Sequence, residues 1–131
     1  MSDLLRPPSG WTVYHTIALL LVAASCIDGD VDPDEVDTIH KRLYDYPDLE
    51  GDSYVVLRAA VRRYEALRQA DQVLPALDRH CRQMAKSLDP FTRRTVLDDI
   101  IAVIGADDEV QPSEQEFLQA VYRHFGMDRP R

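Results

Sequence analysis

The chain has 131 residues, 45% of them apolar, and a net charge of −8. That describes one ordinary globular domain, not a disordered tail, a collagen-like chain or a disulfide-stapled miniprotein. The 15 basic residues against 23 acidic ones exclude an overall basic nucleic-acid binder, and two cysteines, Cys26 and Cys81, fit a reducing cytoplasmic compartment rather than a secreted framework.

Residues 1–10 read as an N-terminal extension, 11–127 as the domain, and 128–131 as a tail. The longest apolar run, residues 17–24, extendable to 27 across Ser25 and Cys26, is about half of the ~20 residues that a membrane span needs. Residues 23–26, Ala-Ala-Ser-Cys, loosely resemble a lipoprotein cleavage box. The flanks argue otherwise: Asp3 offsets Arg6, and Pro7, Pro8 and Gly10 follow. A buried core helix is the expectation.

Glycine and proline punctuate the rest, and steps of three and four between apolar residues are helix spacing. Six helices are predicted. The first, 11–27, is apolar nearly all round and should be central. The second, 33–46, opens on Asp32-Pro33-Asp34-Glu35, a cap, a proline at the first position and a glutamate that reaches back, and carries the stripe Val36, Ile39, Leu43. The third, 53–69, carries Tyr54, Leu57, Val61 and Tyr64. The fourth, 72–86, carries Leu74, Leu77, Cys81 and Met84. The fifth, 90–106, follows an Asp89-Pro90 start and carries Val96, Leu97, Ile100, Ile101, Val103 and Ile104. The sixth, 112–125, carries Phe117, Leu118, Val121 and Phe125, with Gly126 at the capping position.

An internal repeat is visible at an offset of 79 residues. Asp28 meets Asp107, Val31 meets Val110, Pro33 meets Pro112 and Glu35 meets Glu114. A buried helix, an acidic turn, a proline start and an amphipathic helix thus occur twice. The expected fold is all-α: a single compact domain of about six helices with two pseudo-symmetric helical hairpins.

This doubled motif, an alanine-rich helix followed by an Asp-Gly-acidic-Val-x-Pro-x-Glu turn, resembles the tellurite-resistance TerB family. The wider TerB-like superfamily also includes the N-terminal region of certain membrane-anchored DnaJ-type co-chaperones. The resemblance covers roughly residues 12–127. It implies tellurite or general stress resistance, other proteins of such a system as partners, and a metal-linked role. The second copy departs from the first, with Asp108 in place of Gly29 and Gln111 in place of Asp32.

The alternating Asp28, Asp30, Asp32 and Asp34 first suggest an EF-hand loop. Counting from Asp28, however, Pro33 stands where glycine is needed and Ile39 where the bidentate glutamate is needed. Two readings of the acids then stand side by side. Asp32 and Glu35 form a capping box, Asp34 and Glu114 complement helix dipoles, and Asp28 and Asp107 close turns. Alternatively, if the two turns meet, Asp28, Asp30, Asp107 and Glu109 share a divalent cation, calcium or magnesium. A small metal-dependent enzyme using these carboxylates is the catalytic alternative to a non-enzymatic domain.

The histidines and cysteines have no zinc-ligand spacing, and no nucleophile elbow or phosphate loop occurs. Cys26 and Cys81 read as core thiols. Charge, by contrast, is segregated. Residues 53–94 hold nine basic groups and four acidic ones, a net of +5, which leaves −13 for the remainder. Arg58, Arg62, Arg63, Arg79 and Arg82 on helices three and four are the candidate partner-binding face. Its occupants, in order of expectation, are solvent, an acidic protein or a second copy forming a homodimer, and phosphate or an anionic membrane surface touched only peripherally. Tyr54 and Tyr64 fall on the apolar stripe, which argues against a stacking platform for nucleic acid.

Overall fold

The computed structural model describes residues 10–26, 33–43, 46, 53–104 and 112–125. Its elements are six helices: α1 (Val13–Cys26), α2 (Pro33–Arg42), α3 (Ser53–Gln69), α4 (Val73–Ala85), α5 (Pro90–Ile104) and α6 (Pro112–Phe125). The all-α expectation holds. The acidic turns that would relate two hairpins by symmetry lie outside the described residues.

Helix α1 is the axis of the domain. Every side chain from Ile17 to Ala24 is buried, and α1 packs against α2, α3, α4 and α5. Burying a Leu, Ile or Val contributes roughly 1.5–3 kcal/mol relative to exposure, so this helix is the largest apolar contribution from one element. Its start is two residues later than the sequence suggested, because Thr12 is the cap. The Thr12 N–H donates to His15 Nδ1 at 3.1 Å, and the His15 N–H donates to Thr12 Oγ1 at 3.4 Å. Here a histidine takes the place that glutamate holds in a capping box.

Helix α3 ends without glycine or proline. Asp71 sits at φ 55°, in the left-handed region, and its N–H donates to the Arg68 carbonyl at 3.0 Å. The Gln72 N–H donates to the Leu67 carbonyl at 2.8 Å. These two bonds are a Schellman motif, with an aspartate in the position that glycine usually fills. Helix α5 begins as expected: the Thr92 N–H donates to Asp89 Oδ1 at 2.7 Å, ahead of Pro90 in the first turn. Arg93 in that same turn donates to the Leu88 carbonyl at 3.1 Å and to the Ala85 carbonyl. It thereby satisfies the Ala85 carbonyl left over at the end of α4 and a carbonyl of the loop that follows. Helix α6 lies against α4 and α5 through Phe117, Leu118, Val121 and Tyr122. Among the described residues no helix is long and apolar enough to cross a membrane.

The packing corrects three stripe assignments. Tyr54 is 57% exposed, Leu74 48% and Ile101 38%. On α3 the buried row is instead Val56, Leu57, Ala60, Tyr64 and Leu67.

Candidate partner-binding face

The exposed side of α3 carries an unusual surface for a helix in a domain this size. Tyr54 and Val55 stand in solvent, Val55 at 66% exposure. Beside them Val36 of α2 and Tyr54, Leu57, Arg58, Val61 and Arg62 of α3 line a groove of about 230 Å³. Tyr54 is held on two sides. The His40 ring meets it edge-on at 5.9 Å, and the Arg58 guanidinium lies over it at 5.7 Å from the ring centre. His40 is itself tied by Nε2 to Ser53 Oγ at 3.1 Å. Arg58 and Arg62 lie one helical turn apart, both exposed. Among the described residues no carboxylate lies within ion-pairing distance of either.

The five arginines expected on one face divide into three kinds. Arg58 and Arg62 flank the groove. Arg79 and Arg82 are exposed on α4, with Arg82 bridging Asp78 at 3.0 Å in its own helix. Arg63 is buried, so it does not belong to the exposed surface. Its guanidinium reaches His80 Nε2 at 3.5 Å. A guanidinium can only donate, so Nε2 accepts and the proton sits on Nδ1. Trp11 packs beside His80, with its ring 5.2 Å from His80 and 4.9 Å from His15, and donates from Nε1 to Thr16 Oγ1 at 2.8 Å. Burial, and then the charges of Arg63 and Arg79, pull the His80 imidazole down to about 4. Burial lowers His15 as well.

A second cavity, of about 330 Å³, opens between α4 and α6. Leu77, Cys81, Phe117 and Val121 form its floor, and Asp78, Glu116 and Arg123 lie at its polar edge. Cys81 is 2% exposed, and burial, helped by Asp78, pushes its thiol up to about 12. It is therefore neutral at physiological pH and poor as a nucleophile or metal ligand. The core-thiol reading of Cys81 fits this placement.

Whole-chain similarity decides the family. The family model described as "Tellurite resistance protein TerB" matches residues 14–130. The chain belongs to the TerB family. No curated protein and no solved structure matches it. The family assignment thus rests on nearly the whole length, as the doubled motif suggested. In this TerB-family chain the candidate cation ligands Asp28, Asp30, Asp107 and Glu109 lie outside the described residues. Among the described residues no group of three or more His, Cys, Asp or Glu is placed to hold a metal ion.

Sequence reasoning missed the α2–α3 groove, although a signal was present. Tyr54-Val55-Val56-Leu57 is a run of four apolar residues. At about 100° per residue such a run wraps most of the way round a helix, so one face cannot bury it all.

Proposed function

We propose that this TerB-family protein is a non-enzymatic domain that docks an acidic partner protein within a cytoplasmic tellurite- or stress-resistance system. The observation that carries the reading is the pair Arg58 and Arg62, exposed beside Tyr54 and Val55. Guanidinium groups and tyrosine are the side chains that most often anchor protein interfaces. The neutral, buried Cys81 thiol supports a role that is not thiol catalysis.

Complementation tests it. A host lacking the protein is challenged with tellurite and with other oxidants, carrying either the wild type or an Arg58→Glu/Arg62→Glu variant. Protection by the wild type and loss in the variant, at unchanged helicity and melting temperature, is the expected result. Equal protection by both proteins overturns the docking role, and no protection by the wild type overturns the resistance role.

A divalent cation at Asp28, Asp30, Asp107 and Glu109 is a second reading, favoured by the repetition of the acidic motif. Calorimetric titration with calcium and magnesium tests it. Heat that is lost in Asp28→Ala and kept in Asp34→Ala supports a turn site, and absence of heat and of any melting shift sinks it.

A further inference from the structure

We infer that the α2–α3 groove receives a bulky apolar side chain presented by a short acidic segment of a partner protein. The inference rests on the reading that the arginine-bearing face docks a partner, and it names what that partner must offer.

The groove is apolar at its floor, where Leu57 is buried and Val36 and Val61 are partly covered. Its volume, about 230 Å³, falls below the roughly 300–1,000 Å³ typical of small-molecule pockets. It has room for a side chain. Tyr54, though 57% exposed, touches His40 and Arg58, which limits the rotamer freedom lost when a ligand arrives. Arg58 and Arg62 then stand one turn apart and call for carboxylates on either side of the inserted residue.

Two other anionic surfaces fit less well. Lipid headgroup recognition uses clusters of about 4–8 basic residues, and here two flank the groove. A duplex or single strand carries a phosphate at every step, and the chain as a whole is at −8, which opposes a long polyanion. A short acidic segment feels mainly the charges within a Debye length of about 8 Å, and Arg58 and Arg62 line the groove itself. A concave, apolar-floored site also suits a protruding side chain better than a lipid surface.

Selection of displayed short random peptides on the full chain, followed by binding isotherms of the synthesised winners, tests this. The enriched peptides should carry acidic residues around one bulky apolar residue. Replacing that residue by serine, or using Tyr54→Ser or Arg62→Glu protein, should weaken binding about tenfold or more, the effect of losing one interface anchor. Both protein positions are exposed, so melting temperatures should stay put. Binding that survives Tyr54→Ser but fails in Arg58→Glu/Arg62→Glu overturns the groove and leaves the basic face standing. Binding indifferent to all these variants, or a selection that enriches nothing, overturns the inference, while the complementation result still judges the wider reading. Self-association abolished by Tyr54→Ser makes a second copy the occupant and overturns it. Capture by phosphatidylserine vesicles lost in the same variants, without peptide binding, does so in favour of a membrane.

Discussion

Tyr46 donates its phenolic hydrogen to Asp99 Oδ2 at 2.9 Å, inside the core and across 53 positions of sequence. The bond joins the segment after α2 to the middle of α5. Arg42 reaches the other carboxylate oxygen at a longer 3.9 Å from a half-exposed position. A buried carboxylate that loses a donor bears a desolvation cost. Tyr46→Phe should therefore lower stability by about 1–3 kcal/mol, read as a shift in the urea midpoint at constant slope. An unchanged midpoint would show that Asp99 is satisfied without the tyrosine.

The pH dependence of stability should carry the mark of His80. The imidazole titrates near 6.5 when unfolded and at about 4 when folded. Between those values the unfolded chain holds more protons than the native one, so stability falls as pH drops through this window. Carboxylates titrate there too, and the comparison must be differential. Relative to His80→Gln, the wild type should lose stability progressively from pH 6.5 down to 4 and run parallel to it above 7. Parallel curves throughout would remove His80 from the account.

Cys81 should resist alkylation. In a Cys26→Ser background the native protein should react with a thiol reagent only as fast as it unfolds, and rapidly in denaturant. The buried thiol is pushed up to about 12, which leaves almost no thiolate at neutral pH. Fast labelling under native conditions would contradict the packing of α4 against α6.

Leucines at 20 and 74 separate core from surface. Leu20 is fully buried on α1, and Leu20→Ala should cost about 2–5 kcal/mol. Leu74 is half out of the protein, and Leu74→Ala should stay near 0.5 kcal/mol. Thermal melts of the two variants, side by side, read the contrast directly.

The turn at Asp71 should tolerate glycine and reject a β-branched residue. Its φ of 55° crowds any side chain branched at Cβ. Asp71→Val should be less stable than Asp71→Gly by about 1–2 kcal/mol, with α3 fraying at its end by hydrogen exchange.

Most helix positions were readable because proline and capping residues mark them. Ser53–Gln69 and Pro112–Phe125 coincide with the sequence reading, and Asp89 caps α5 as its chemistry requires. Which face turns inward was less readable. Tyr54, Leu57, Val61 and Tyr64 keep helical spacing, and so do Val56, Ala60, Tyr64 and Leu67. The spacing rule accepts both rows. The small side chain of Ala60 sits in the buried row of the helix that packs on α1, and that packing selects the row. Arg63 was misplaced for a related reason, since its buried partner His80 lies on another helix. The two-arginine rim of the groove was visible as charge, but its apolar floor needed Val36 from α2. The acidic turns remain a matter of sequence, because their residues are not among those described.

Helix α1 is covered by elements that come after it in the chain. During synthesis it leaves the ribosome before them, and Ile104, the end of α5, follows Cys26 by 78 residues. At 5–20 residues per second the most apolar stretch of the protein waits roughly 4–16 s for its complete cover. The arrangement that makes the finished domain cohesive leaves the most apolar helix of the nascent chain without its full cover for that interval.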